Sequence, residues 1–277
     1  ARRSHEVTVV YDGPHLLDEL HRGTAVHYRP RTDPGADYQL AIYYKCAEAA
    51  GMALAPRQWA WTVEERAFDG RPFEWVIVPS HFLSRCLVGT CPPLEPKLTV
   101  IPYGIEPGEL GVKATRDPQL VLHTASPDRG LETLLHIWPS VRAAHPEAKL
   151  VNTYGFERYE LCGGSRALRA RLEQMCVEQR ESVLLPPSRR TALEVARLYR
   201  QAGVWAYYCT GGEYFCLAAV KAQLSGCVPV VRPWGALQET VFSGLRADHP
   251  EAFRDALISA LDPQRQEALR EQLDAYL

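Results

Sequence analysis

The sequence predicts an α/β protein with parallel sheets, and three observations support this fold class. Strand-like and helix-like segments alternate along the whole chain, as in folds built from β-α-β units. Residues 228–231 are apolar without alternation, which is typical of a strand covered on both faces. Residues 204–231 are predicted as strand, Gly-Gly loop, helix and strand, an order that opens a loop at the C-terminal edge of a parallel sheet.

Composition restricts the function classes. The chain has 277 residues, 46% of them hydrophobic and 23% charged, with a formal net charge of −2. These values suit a soluble protein of two domains and give no sign of nucleic-acid binding, and no apolar run is long enough for a membrane span. Eight cysteines form no CxxC pair, which favours buried free thiols and predicts a cytoplasmic protein without a zinc site.

In the first part of the chain, short strands are separated by turn residues. Predicted strands lie at 5–11, 37–44, 57–61 and 74–80, followed by a helix at 81–88 and a closing segment at 97–105. Pro102, Gly104, Pro107 and Gly108 indicate a linker after that segment. Trp59 and Trp61 are interpreted either as core residues or as the wall of a sugar-binding cleft.

The rest of the chain alternates regularly. Strands are predicted at 119–124, 149–154, 182–185, 204–208 and 228–231, and helices at 131–138, 165–180, 191–201, 217–224, 250–261 and 264–277. Asp128 is predicted to cap the helix that starts at Leu131. Leu193, Ala196 and Tyr199 are expected on one side of the helix at 191–201.

The most informative stretch is 210–231. Gly211 and Gly212 allow a sharp turn and a close approach to a ligand. Glu213 follows them, and a helix is predicted from Leu217 up to a glycine cap at Gly226. A helix N-terminus offers free N–H groups and about half a positive charge, so this segment predicts a phosphate site.

Three segments resemble one family. Residues 211–231, GGEYFCLAAVKAQLSGCVPVV, resemble the donor-binding segment of retaining GT-B glycosyltransferases of family GT4. Residues 76–82 and 97–110 resemble the end of that family's N-terminal domain and its hinge. The resemblance implies two Rossmann-like domains facing across a cleft, 1–108 on the acceptor side and 109–277 on the donor side. A first strand, a Gly-rich loop and a helix normally precede a strand such as 5–11, so the N-terminal domain is expected to be abbreviated.

The resemblance also implies a reaction and a set of residues. The reaction is metal-independent, retaining transfer of a sugar from a UDP- or GDP-sugar to an unknown acceptor, hexosyltransferase-like, with the nucleotide-sugar as co-substrate and no cofactor. Glu213 matches the first of two family glutamates and would orient the donor sugar, while Arg129 would contact the diphosphate. Predicted donor-binding positions are Thr124, Ser126, Gly155, Leu185, Tyr214, Phe215, Cys216, Leu217 and Lys221.

Two positions depart from the family pattern. Thr124 stands where a second basic residue is usual, and Lys221 stands where the second glutamate accepts from the ribose hydroxyls. Lysine has donors only and cannot make that bidentate acceptance. Lys221 is therefore a lesion that weakens donor binding, a replacement for the missing cation, or the mark of a homologue without turnover, and the sequence leaves these three open.

Other classes also remain open at this point. One is a non-catalytic nucleotide- or sugar-binding homologue or an incomplete fragment, and another is a GT-B epimerase. Arg129 could be a solvated arginine, Glu213 a carboxylate favoured only by the helix N-terminus, and Glu239 either a donor-closing residue or an ordinary carboxylate. His81 and His123 lie nearest the predicted cleft, and no histidine is assigned as a base or ligand. A homodimer or a missing partner segment could cover apolar surface.

Overall fold

The computed structural model describes residues 7–11, 17–21, 24–30, 38–44, 55–65, 73–185 and 191–275. The chain forms two compact units. One comprises Ala1–Trp61 and Phe68–Val76, and the other comprises Thr62–Ala67 and Ile77–Leu277. The predicted boundary between residues 108 and 109 stays a prediction.

The first unit contains short strands in two groups. Strand β1 (Val7–Tyr11) pairs in parallel with β3 (Thr24–Pro30), and β2 (Leu17–His21) pairs with β3 antiparallel. Strand β4 (Leu40–Tyr44) pairs in parallel with β5 (Arg57–Trp61), and β6 (Trp75–Val78) begins in this unit. Strands β2 and β3 were not expected, because the polar residues of LDELH hide the alternation that indicates a strand. The turn predicted at 12–14 lies outside the described residues.

The second unit begins with a helix and two short helical turns. Helix α1 (His81–Thr90) is capped by Ser80, whose hydroxyl accepts from the Leu83 N–H at 3.0 Å. A 3-10 helix (Pro92–Lys97), strand β7 (Leu98–Val100) and a second 3-10 helix (Pro107–Leu110) follow. The helix at 81–88 and the strand within 97–105 are thereby confirmed.

A six-stranded parallel sheet dominates the second unit. Its strands are β8 (Asp117–His123), β9 (Lys149–Asn152), β10 (Val183–Leu184), β11 (Ala202–Tyr207), β12 (Val228–Val231) and β13 (Leu245–Arg246). They are ordered β10-β9-β8-β11-β12-β13 and every pair is parallel, which confirms the predicted fold class. The strand order reverses between β8 and β11, and ligands of α/β proteins bind at such a reversal.

Helices cover both faces of this sheet. They are α2 (Leu131–Ala144), α3 (Phe156–Leu161), α4 (Arg166–Glu178), α5 (Ala192–Gln201), α6 (Leu217–Leu224), α7 (Leu237–Thr240), α8 (Pro250–Leu261) and α9 (Pro263–Asp274). One buried cluster joins α2, α4, α8 and α9 to one sheet face, and a second joins α5, α6 and α7 to the other. Helices α3 and α7 and strand β13 were not predicted, because each is too short to show a period.

Two sequence-based expectations for this unit are wrong. Asp128 does not cap α2, since Gly130 is the N-cap with φ +83° and Asp128 accepts from the Ser126 hydroxyl instead. Leu193 is 56% exposed, although Ala196 and Tyr199 are buried as predicted. Leu193 lies in the first turn of α5, beyond the part of the helix that packs on the core.

Candidate functional site

The two loops at the strand-order reversal bring Arg129 and Glu213 together. Arg129 follows β8 and Glu213 lies in the loop after β11, 84 positions later in the chain. Arg129 Nη1 lies 3.4 Å from Glu213 Oε2, and the two side chains are 47% and 11% exposed. The arrangement is an ion pair whose cation faces solvent and whose carboxylate lies inside.

Glu213 is buried and held by several donors. The Tyr207 hydroxyl donates to Oε2 at 3.0 Å, and Arg129 Nη1 approaches the same oxygen at 3.4 Å. Burial raises the pKa of Glu213, while Arg129, Tyr207 and the Phe215 N–H oppose that rise. The carboxylate is therefore fixed in place at a cost in solvation.

The Arg129 loop lies against the end of β11. Gly130 has φ +83°, and a Cβ built on it would lie 1.9 Å from the Tyr208 carbonyl oxygen. The Thr210 hydroxyl donates to the Asp128 carbonyl at 3.2 Å. Only glycine permits this approach, so backbone contact positions Arg129 beside Glu213.

His123 lies directly under the Arg129 loop. Its ring is fully buried, with Nδ1 3.3 Å from Asn152 Oδ1 and Nε2 3.3 Å from the Arg129 carbonyl oxygen. Burial lowers the pKa of His123, against the hydrogen bonds to Asn152 and Arg129, which raise it. The histidine therefore supports the loop as a neutral ring and does not reach solvent.

This burial predicts a pH dependence of stability. The unfolded chain binds a proton at His123 below about pH 6.5, while the folded chain resists it, so the free energy of unfolding falls as pH drops below 6.5. We expect His123→Gln to remove about 1 kcal/mol of the loss between pH 7.5 and pH 5.5, measured by urea unfolding. His136→Gln, on the exposed surface of α2, is the control. An equal loss in wild type and His123→Gln would contradict the prediction.

Two of the predicted donor-binding side chains are engaged within the protein. Thr124 Oγ1 accepts from Trp205 Nε1 at 2.9 Å and from the Tyr199 hydroxyl at 3.1 Å. Ser126 Oγ donates to Asp128 Oδ1 at 2.5 Å. Thr124 thus anchors β8 to its neighbours, and its side chain is directed toward the core and not toward Arg129.

The segment before α6 is held by aromatic contacts that the sequence did not indicate. The Tyr214 ring stacks on Phe82 of α1 with centroids 6.1 Å apart, and the Phe215 ring meets Tyr103 edge-on at 5.3 Å. Cys216 is buried at the N-cap of α6, which starts at Leu217 as predicted. No periodicity or motif links residues so far apart in sequence, so only the fold reveals these contacts.

The remaining predicted positions lie around this edge. Lys221 Nζ lies 2.6 Å from Glu109 Oε2. Gly155, with φ +79°, and Leu185, which is 42% exposed, follow β9 and β10 on the far side of β8. Glu239 accepts from the His81 N–H at 2.8 Å and from Arg85 at 3.4 Å, so its carboxylate lies at the N-terminus of α1, beside the Ser80 cap. Within the described residues, none of these groups has a side-chain hydrogen bond or ion pair with Arg129 or Glu213.

The comparisons with known proteins give the fold. No protein-family model and no curated protein matches this sequence. Among solved structures, Anabaena Alr3699/HepE in complex with UDP and glucose is similar at a TM-score of 0.67 and 15% identity, over 86% of this chain and 73% of that chain. The fold is that of GT-B glycosyltransferases.

Two further structures have the same fold. Sucrose-phosphate synthase from Thermosynechococcus elongatus is 18% identical with a TM-score of 0.66, over 97% of this chain and 83% of that chain. An alpha,alpha-trehalose-phosphate synthase (UDP-forming) from Burkholderia vietnamiensis is 10% identical with a TM-score of 0.67, over 96% and 86%. Membership of GT4 and the abbreviated N-terminal domain stay predictions. In the described part of the chain, no helix is both long and apolar enough to cross a membrane.

Proposed function

We propose that this chain transfers a sugar from a nucleotide-sugar to an acceptor, as a retaining glycosyltransferase of the GT4 type. The observation that carries the proposal is the Arg129–Glu213 pair at the strand-order reversal, beside the N-terminus of α6. A cation and a helix N-terminus suit a diphosphate, and a fixed carboxylate suits sugar hydroxyls. The similar structures with UDP or UDP-glucose support the same ligand class.

The proposed chemistry needs no bound metal. The bond between the anomeric carbon and the diphosphate oxygen breaks, and the bond from that carbon to the acceptor oxygen forms. Arg129 offsets the charge that develops on the leaving diphosphate, and Glu213 offsets the positive charge that develops on the sugar. The acceptor proton passes to the leaving phosphate on the same face, so no protein base is required.

The contact of Lys221 with Glu109 limits the roles that Lys221 can have in the donor site. Its ion pair with Glu109 offsets its charge, which argues against Lys221 as the replacement cation for the diphosphate. A lesion in the ribose contact and a non-catalytic nucleotide-binding homologue are the two alternatives that this contact leaves. The ion pair is the observation that favours the second alternative, because it gives Lys221 a structural role.

Calorimetric titration with UDP, GDP and ADP tests the proposal. We expect wild type to bind one of the three and Arg129→Ala to bind it about 10- to 100-fold more weakly, because a charge-assisted hydrogen bond is lost. Arg85→Ala, which removes another exposed ion pair, is the matched control and should bind like wild type. Lys221→Glu separates the alternatives, since tighter binding by this variant supports the lesion. Absence of binding by both wild type and Lys221→Glu would overturn the proposed function.

A further inference from the structure

Arg232 lies at the same edge of the sheet as Arg129, on the other side of β11. It follows β12 directly, and β8 and β12 are the two neighbours of β11. Strands that are second neighbours lie about 10 Å apart, so two arginines that follow them can reach one ligand between them. The Gly211–Gly212 loop leaves β11 in that interval.

Contacts with the end of β11 fix the Arg232 side chain. Its Nη1 donates to the Cys209 carbonyl oxygen at 3.1 Å. The guanidinium carbon lies 4.7 Å from the Trp234 ring centroid and 5.4 Å from that of Tyr208. Both rings lie within cation–π distance of the guanidinium, so aromatic contacts and the Cys209 carbonyl together hold the Arg232 side chain at this edge.

The charge of Arg232 has no counter-ion among the described residues. Arg129 is offset by Glu213, Lys221 by Glu109 and Arg85 by Glu239. Arg232 has only the Cys209 carbonyl as acceptor, and its buried Nε donates to no group that the structure describes. A partly buried cation with unused donors is stabilised by a ligand anion more than by water.

Thr124 cannot supply a second positive charge at this edge of the sheet. Its hydroxyl carries no charge and is already bonded to Tyr199 and Trp205. Arg129 together with Glu213 has no net charge, whereas a nucleoside diphosphate is strongly negative. A second cation is therefore needed at this edge if such a ligand binds there.

We propose that Arg232 binds a phosphate group of the nucleoside diphosphate, opposite Arg129, with the Trp234 ring in cation–π contact with its guanidinium. This assignment rests on the proposed function, since it names a second contact for the same ligand. Arg232 is then a specificity-determining residue for the diphosphate and makes no contact with the base.

The test compares a nucleoside diphosphate with its own nucleoside. The diphosphate that binds wild type, whether UDP, GDP or ADP, and its corresponding nucleoside are titrated in separate experiments. Each ligand is titrated into wild type, Arg232→Gln, Arg232→Lys and Arg246→Gln. Arg246 is the matched control, since it is the arginine of the next strand, β13, and donates to the Val241 carbonyl. We expect Arg232→Gln to lower diphosphate affinity about tenfold or more with nucleoside affinity unchanged. Arg232→Lys should recover part of the loss, and Arg246→Gln should match wild type.

The outcomes separate this proposal from the proposed function. The role of Arg232 is overturned if Arg232→Gln loses diphosphate and nucleoside affinity equally, or if it loses no affinity relative to Arg246→Gln. The proposed donor site stands in either case if Arg129→Ala binds the diphosphate more weakly than wild type. The role of the Arg232 charge is also overturned if Arg232→Lys melts like wild type but loses as much affinity for the diphosphate as Arg232→Gln does. If neither wild type nor Lys221→Glu binds any of the three diphosphates, both proposals fail together.

Discussion

Replacing Glu213 with glutamine is expected to lower turnover of a nucleotide-sugar about 100-fold, because a neutral amide cannot offset positive charge on the sugar. The same change should leave the free energy of unfolding at pH 7.5 within about 1 kcal/mol of wild type. The ionised carboxylate is costly to bury, as the raised pKa indicates, and the amide avoids that cost while keeping one acceptor for Tyr207. The measurements are release of the nucleoside diphosphate and urea unfolding.

The burial of Glu213 also makes the stability of the protein depend on pH. A folded-state pKa above that of the unfolded chain means that Glu213 contributes less stability as pH rises through its folded pKa, and Glu213→Gln should lack this decline. Glu173→Gln, in a surface ion pair with Arg169 on α4, should change neither turnover nor stability measurably. Wild-type turnover by Glu213→Gln would contradict the prediction and would show that Glu213 has only a structural role.

Gly130→Ala is expected to destabilise the protein by about 3 kcal/mol or more. The change adds the cost of a left-handed residue with a side chain, about 1–2 kcal/mol, to the cost of moving the Tyr208 carbonyl, which would lie 1.9 Å from the new Cβ. Because the loop must shift, Arg129 should also leave Glu213, and binding of the nucleoside diphosphate should weaken. Thermal unfolding and calorimetric titration measure the two effects.

Gly163→Ala is a matched control for this substitution. Gly163 has φ +85°, nearly the same as Gly130, but a Cβ there meets no atom within 4 Å. It should therefore cost only the conformational term, about 1–2 kcal/mol, and leave ligand binding unchanged. Similar effects of the two substitutions would show that the contact with Tyr208 does not determine the position of the Arg129 loop.

The fold class and many elements of the second unit could be predicted from the sequence because local patterns determine them. Helix α6 has the predicted bounds Leu217–Leu224, and Gly226 has the left-handed φ of +79° expected just after a helix. Thr191 and Glu194 form a capping box at the start of α5, and α8 spans Pro250–Leu261 as predicted. Apolar periodicity, glycines and caps act over a few residues, so they can be recognised without a partner segment.

The tertiary structure decides which residues come together at the site. The ion pair of Arg129 with Glu213 spans 84 positions, and that of Lys221 with Glu109 spans 112. The inward direction of Thr124 depends on Trp205 and Tyr199, and the uncompensated charge of Arg232 depends on which carboxylates other loops bring near. By itself the sequence determined the parallel α/β fold and the Gly-Gly loop with its helix. Which charges meet at that loop depends on strand order, and strand order is set by long-range burial that no local pattern encodes.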